Sequence, residues 1–375
     1  MKNIALFAYN FPHRKTHDFI LELVAAGVQN FVVIAAGMKM LRHHDSHTYF
    51  DTSIQPCPPI LASELCERLG RSFYCVEHDD EERIGEIVRA HRAELAIISG
   101  ARIIKEKVLS LFPGGVINFH PGKIPETSGL DSFFYTLKNN VPAGVTTHFI
   151  DSRVDAGFEV CFDEATVTPS ATPETVLENV YHLQRVALRR VLRMLVDKRL
   201  SACPIHRPVK NQPMTPEQKI EALSRFTVWR AARCIEQEHR VLIQASESGQ
   251  LPIVTKILDQ LPQLLNQKND KGWSPLIVAA YHGHFELVAY MLRRGGNPND
   301  CGLKGTTVLM YAKTKMLHAA EPNYSLLSLL IESGADVTRR DGLGKTIIDY
   351  VMESNDQRMI EYFMMKQTGA NDGGH

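Results

Sequence analysis

The chain has 375 residues, 44% hydrophobic and 22% charged, and at roughly 100–200 residues per domain that length calls for two or three domains. Its 42 basic and 42 acidic residues cancel, so no bulk field draws it to nucleic acid or an anionic membrane. No apolar run reaches the ~20 residues that span a bilayer, the start Met1-Lys2-Asn3-Ile4-Ala5-Leu6-Phe7 breaks too soon for a signal peptide, and the seven cysteines (Cys57, Cys66, Cys75, Cys161, Cys203, Cys234, Cys301) lack a C-x-x-C pair, so a cytoplasmic chain with free thiols and no structural zinc is expected.

Over the first 200 residues, short β-rich apolar runs alternate with longer stretches of helical periodicity, which implies crossover βαβ units, an α/β class and a mostly parallel sheet. The expected strands are Lys2–Ala8, Phe31–Ala35, Ser72–Val76, Leu95–Ser99, Val116–Phe119, Ala143–Ile150 and Glu159–Val167. Several carry apolar residues on both alternating positions, as a strand covered on both faces requires. The expected helices are Thr16–Ala26, Ala62–Leu69, Asp80–Ala90, Lys105–Leu111, Leu130–Asn139 and Pro173–Asp197. In the last, Arg189, Arg190 and Arg193 fall in the C-terminal half, where the helix dipole favours cations.

From Ser201 to Pro216 the prolines Pro204, Pro208, Pro213 and Pro216 remove backbone donors and rule out a continuous helix, so this stretch reads as a linker. Helical periodicity resumes over Pro216–Ile235, and beyond it the sequence repeats itself. Leu242-Ile243-Gln244-Ala245 aligns with Leu276-Ile277-Val278-Ala279 at an offset of 34, and Lys271-Gly272-Trp273-Ser274-Pro275-Leu276 recurs as Lys304-Gly305-Thr306-Thr307-Val308-Leu309 at an offset of 33. Ser274-Pro275-Leu276-Ile277-Val278-Ala279 resembles the ankyrin signature. Four repeats are expected over 239–366, the third carrying about six extra residues around Lys313–Tyr324 because Gly305 and Gly344 stand 39 apart. The division expected is therefore 1–200 for a catalytic domain, 201–238 for a linker and connecting helix, 239–366 for stacked repeats and 367–375 for a disordered tail.

Chemistry concentrates in Asn118-Phe119-His120-Pro121-Gly122, in Gly144-Val145-Thr146-Thr147-His148 and in Asp155-Ala156-Gly157. Asn118 and His120 lie two residues apart at the carboxyl end of a strand that Pro121 terminates, so they project to one side, where open α/β sheets place ligands. A carboxamide donor beside an imidazole suits a developing oxyanion, and Asp155 is a candidate carboxylate to orient that imidazole and hold it charged. The run Arg42-His43-His44-Asp45-Ser46-His47 lacks further acidic or Cys ligands at helical spacing and reads as a solvated loop, so no metal is expected.

The Asn-x-His-Pro-Gly-x-x-Pro run, the Asn139–His148 segment and the Asp-Ala-Gly 35 residues after His120 together resemble the formyltransferases that use N10-formyltetrahydrofolate. Over the whole chain the similarity is closest to sugar N-formyltransferases with a C-terminal ankyrin module. The resemblance implies a Rossmann-like domain, a catalytic triad of Asn118, His120 and Asp155, and a folate loop at Gly100, Ala101, Arg102, Ile103 and Ile104. Ser128 stands where several family members have an arginine, so no substrate contact is carried over there. After the first strand, Tyr9, Asn10, Phe11 and Lys15 replace the glycine-rich phosphate loop of ribonucleotide enzymes, and they suit stacking on a base and neutralising a pyrophosphate.

The expected reaction is formyl transfer to the amine of a nucleotide-linked amino sugar, a dTDP-amino-dideoxy sugar by preference, for a bacterial O-antigen or other surface polysaccharide. The alternatives are a ribonucleotide or aminoacyl-tRNA amine, or an ankyrin interaction module on an inactive catalytic domain. A neutral chain ending in repeats gives no nucleic-acid surface. Trp273, at a repeat turn, marks a candidate accessory site for a regulatory ligand or protein partner, and pairing into a homodimer is left open.

Overall fold

The computed structural model describes residues 3–38, 49–50, 60–152, 157–206, 211–316 and 324–369. Four readings fall wholly or partly outside those residues: the histidine-rich run 42–47, the carboxylate of Asp155, most of the insertion expected after Lys313, and residues 370–375 of the expected tail. The chain divides into two compact units, Met1–Cys234 and Ile235–His375.

The first unit runs β1 (Ile4–Tyr9), α1 (Arg14–Ala25), β2 (Phe31–Ala36), α2 (Ala62–Arg68), β3 (Ser72–Cys75), α3 (Glu81–His91), β4 (Leu95–Ile98), α4 (Glu106–Leu109), β5 (Val116–His120), α5 (Ser132–Lys138), β6 (Gly144–Phe149), β7 (Phe158–Glu164), α6 (Pro173–Val196), β8 (Cys203–Pro204), α7 (Pro216–Ser224) and the start of α8 (Phe226–Glu247). The strands form one sheet in the order β3-β2-β1-β4-β5-β6-β7-β8. Pairing is parallel from β3 through β5 and antiparallel from β5 through β8. This is the Rossmann-like α/β architecture, with its order reversing between β1 and β4.

Both faces of the parallel strands are covered, which explains their continuous apolar sequence. On one face Leu6, Val33, Ile97, Ile117 and Phe119 pack with α1 and α6 residues such as Phe19, Leu23 and Leu188. On the other, Ala5, Phe7, Val32, Ile34 and Val116 pack with Ile84 and Val88 of α3 and Val108 of α4. Phe19 meets Phe119 edge-on at 5.5 Å, tying α1 to β5.

Helix α6 starts where Thr172 caps Thr175 N–H and Pro173 fills the first turn. Arg189 and Arg190, read as partners of its dipole, form tertiary ion pairs instead: Arg189 with buried Glu22 of α1, and Arg190 with Asp163 of β7. Specific carboxylates within bonding distance outweigh the diffuse partial charge of a helix end.

The proline-rich stretch is not a loose tether. Cys203-Pro204 adds β8 to the sheet edge opposite Glu159 and Phe158, where the missing proline N–H costs nothing. Further on, Asn211 donates to the carbonyls of Glu126 and Ser128, and Asp131 accepts from the Met214 amide. Trp229 of α8 is buried and donates to Val141 O at 2.8 Å. The first unit accordingly reaches Cys234, rather than ending at 200, and its boundary falls within α8.

The second unit contains α9 (Leu251–Gln260), a 3₁₀ turn at Pro262–Asn266, α10 (Pro275–His282), α11 (Phe285–Arg293), α12 (Val308–Met316), α13 (Ser325–Glu332), α14 (Ile347–Glu353) and α15 (Gln357–Gly369). Its core, including Leu242, Leu276, Val288, Leu309, Leu327 and Phe363, runs through successive helices as stacked repeats require. The Ser-Pro-Leu signature has a local cause: Ser274 caps the Ile277 amide and Pro275 occupies the first helical position. Helix α15 continues through Gly369, so residues 367–369, expected in a disordered tail, are helical. Among the described residues no helix is long and apolar enough to cross a membrane.

Candidate active site

The C-terminal half of β5 is the structural origin of the site. Its pairing with β4 covers Val116 and Ile117 only, so Asn118 to His120 lie beyond the parallel ladder and keep β6 as their paired neighbour. Pleating sends Ile117 and Phe119 into the α1/α6 core and turns Asn118 and His120 to the opposite face.

His120 is 3% exposed, and its Nε2 lies 2.8 Å from Thr127 O. A carbonyl only accepts, so Nε2 carries the proton of this hydrogen bond. The loop after Pro121 is pinned beside the ring: Thr146, opposite His120 in the ladder, donates from Oγ1 to Gly122 O at 2.7 Å and accepts from the Ile124 amide at 3.1 Å. Asn118 faces His148 across the same ladder, with Nδ2 3.3 Å from the imidazole Nε2. At the turn from β6 to β7, Gly157 has φ +97° and a Cβ there would lie 2.2 Å from Phe149 O, so only glycine completes the Asp-Ala-Gly segment.

The loops after β1 and β4 flank the point where strand order reverses. Tyr9 stacks on Phe11 at 4.8 Å and lies edge-on to His13 at 5.2 Å. Its ring rests on Gly100, where a Cβ would come within 2.6 Å of it. Residues read as substrate-binding and folate-binding are therefore in direct contact. Asn10 turns away, accepting from the Ser63 amide, whereas Lys15 donates to Phe119 O of β5 at 3.3 Å.

In the β4 loop the Arg102 side chain pairs with Glu77 and donates to Gly37 O, while its amide donates to Nδ1 of buried His78. Burial lowers the His78 pKa, as an imidazole that accepts at Nδ1 and donates at Nε2 to Ile34 O requires. His13 is pushed down to about 4 by burial, with Lys15 and His17 adding to the effect, and its Nδ1 accepts the Thr16 amide at the start of α1. Among the described residues the main-chain carbonyls from Gly100 to Ile104 accept no hydrogen bond, and Ile103 is 74% exposed. Open acceptors beside an apolar side chain fit the amide-like edge and flat ring of a pterin.

Residues 52–192 match the formyl transferase family, and residues 242–341 match ankyrin repeats in three copies. The chain joins a formyl transferase domain to ankyrin repeats. Phosphoribosylglycinamide formyltransferase of Bacillus subtilis (strain 168) is 28% identical over 118 residues, 31% of this chain and 60% of that protein. Ankyrin repeat and SAM domain-containing protein 6 of Rattus norvegicus is 31% identical over 122 residues, 32% of this chain and 13% of that protein. This chain thus spans less than two thirds of the length of these curated relatives. Among solved structures, a sugar N-formyltransferase from Shewanella sp FDAARGOS_354 aligns at 17% identity and TM-score 0.41 over 60% of this chain and 87% of that one. Phosphoribosylglycinamide formyltransferase from Streptococcus pneumoniae TIGR4 aligns at 22% and 0.40, over 52% and 99%.

Within the formyl transferase domain, Asn118 and His120 share one face of one strand, and Tyr9, Phe11 and the Gly100–Ile104 loop surround the neighbouring strand ends. Sequence reasoning placed His148 in a chemistry-bearing segment but gave it no role, and it assigned none to Thr127, His13 or His78. The Thr146-x-His148 alternation was available as a signal, since it marks one strand face, but its partner depends on a ladder register that no local pattern gives. Glu159 was missed too: it lies opposite His148, and burial holds its carboxyl above the usual range, with Lys123 opposing. In the repeats, half-buried Trp273 packs on Tyr281 and Tyr311 at 5.2 and 4.8 Å.

Proposed function

We propose that the protein transfers a formyl group from N10-formyltetrahydrofolate to the amine of a nucleotide-linked amino sugar. The observation that carries this reading is the Asn118–His120 pair, turned to one face of β5 in the half of that strand that runs past its ladder with β4. When bound, the folate supplies an activated formyl carbon; everything else is done by the chain. The open carbonyls of Gly100–Ile104 hold the ring, and exposed Ile103 excludes water from its face. Asn118 Nδ2–H and protonated His120 Nδ1 donate to the formyl oxygen as the amine attacks and charge develops there. Asp155, assigned by resemblance, supports that imidazolium and takes up the proton the amine releases; as the oxyanion collapses, the bond from the formyl carbon to N10 breaks and that proton passes to N10, so that tetrahydrofolate leaves as the new amide forms.

For the acceptor, the aromatic β1 loop, with Lys15 at the start of α1 adding a positive charge next to it, favours a nucleoside diphosphate over a simple phosphate, since Tyr9 and Phe11 offer stacked rings. The Trp273, Tyr281 and Tyr311 rings form an accessory face for a planar ligand or a partner side chain. The decisive experiment offers the purified protein N10-formyltetrahydrofolate with dTDP-, UDP- and GDP-linked amino sugars, glycinamide ribonucleotide and methionyl-tRNA, and follows folate release and the acceptor's mass. Formylation of a nucleotide amino sugar is expected. Formylation of glycinamide ribonucleotide alone, the acceptor class in the name of the Bacillus relative, overturns the sugar reading, and formylation of nothing overturns the enzyme.

A further inference from the structure

We infer that His148 sets the direction in which the Asn118 carboxamide faces, and so is a positioning residue for formyl transfer. This inference rests on the reading of Asn118 as the oxyanion donor. A carboxamide has one accepting and one donating end that differ little in shape, and rotation by half a turn would present Oδ1 to a developing negative charge. A donor that is free to rotate loses the preorganisation that makes it effective.

The fold removes that freedom. Asn118 and His148 are direct cross-strand partners in the β5–β6 ladder, and Asn118 Nδ2 stands 3.3 Å from His148 Nε2. His148 has 0% exposure, so its ring is held by packing rather than by solvent. A neutral imidazole protonated at Nδ1 accepts at Nε2. Nδ2 carries two hydrogens about 120° apart, so one satisfies His148 and the other is aimed into the site. His148 contacts Asn118 directly, and a bulge between Thr147 and His148 alters the register so that Glu159 and not Val160 lies opposite it. Bulges re-aim side chains in this way.

Three variants test the assignment. His148→Met, which fills the volume without an acceptor, is expected to lower kcat by about 10–10² with little change in KM for the folate, because the lost interaction matters only as charge develops. His148→Gln, which restores an acceptor, is expected to recover turnover to within about tenfold of the wild type. The double variant Asn118→Ala/His148→Met is expected to be no slower than Asn118→Ala alone, since a residue acting through Asn118 has nothing left to act on. Multiplied losses in the double variant, or normal kcat in His148→Met, overturn the inference.

A readout independent of activity uses asparagine labelled with 15N, with the Asn118 carboxamide assigned by its disappearance in Asn118→Ala. In the wild type one of its two protons should be displaced from the other asparagines and slowed in solvent exchange, and His148→Met should abolish both effects. If the Met variant does not fold, the wild-type resonance and the Gln variant decide: an undisplaced, freely exchanging carboxamide overturns the inference. A wild type that transfers no formyl group overturns the proposed reaction instead, and the resonance still decides whether His148 holds Asn118.

Discussion

At the scale of single residues, what was legible and what was not divide along a physical line. Asn118 and His120 could be read because strand pleating and a terminating proline are local facts, and the structure places both on one face of β5. The tautomer of His120 could not be read, because it depends on a carbonyl seven residues away in a loop that folds back, Thr127 O at 2.8 Å. Replacing Asn118 or His120 by Ala is expected to cost about 10²–10³ in turnover, the range for losing one oxyanion donor, and single-turnover kinetics with saturating folate measure it. Gly100→Ala makes a different kind of demand. Its Cβ would lie 2.6 Å from the Tyr9 ring and 3.0 Å from His13, so Tyr9 must move, and overpacking of this sort costs about 1–3 kcal/mol. Because Tyr9 belongs to the loop proposed for the acceptor and Gly100 to the loop proposed for folate, KM should rise for both; a rise for only one would show that the loops are independent. His13 gives a pH signature. Its folded pKa of about 4 lies below the usual value of 6.5, so the unfolded chain binds a proton over the interval between them. Its contribution to stability is complete above pH 6.5 and is lost as pH falls towards 4. His13→Asn keeps a capping acceptor without that titration, and urea midpoints between pH 4 and 7 should therefore fall less steeply than in the wild type.

At the scale of elements, helices with strong periodicity were placed closely, α6 above all, while short edge elements escaped. Strand β8 has two residues, one of them proline, and nothing in its sequence distinguishes it from a turn; it exists because β7 offers an open edge. The same tertiary override makes the proline-rich stretch part of the first unit. Helix α8 shows what holds that end in place. Trp229 is 2% exposed, stacks obliquely with Phe226 at 5.8 Å and donates its indole N–H to Val141 O. Trp229→Phe, which keeps most of the apolar volume and orphans the carbonyl, should cost about 1–3 kcal/mol, and Trp229→Ala about 3–5 kcal/mol because a cavity is added. Denaturation followed by the loss of sheet signal checks the order. If Phe costs as much as Ala, the hydrogen bond rather than the packing anchors the helix.

At the scale of the whole molecule, composition announced two kinds of order, and the repeats were legible because their period is written directly in the sequence. The boundary was not, since helical periodicity runs unbroken through Cys234 and Ile235. Each unit has its own core: among the described residues the sheet's two apolar layers draw on residues before Ile235, and the repeat core on residues from there on. Separate cores imply separable cooperativity, because cooperative units follow contiguous packing. Leu276 lies at the centre of the repeat core with no exposed surface, and Leu276→Ala should remove about 2–5 kcal/mol from that unit alone. Calorimetry should then show the repeat transition moving down while the transition of the formyl transferase domain stays in place. Below the lowered transition, kcat for formyl transfer should be unchanged, because every group assigned to the reaction lies in the first unit. A fall in kcat at a temperature where the repeats remain folded would mean that the repeats take part in turnover. In that case the Trp273, Tyr281 and Tyr311 face, rather than the repeat core, becomes the place to look for the coupling.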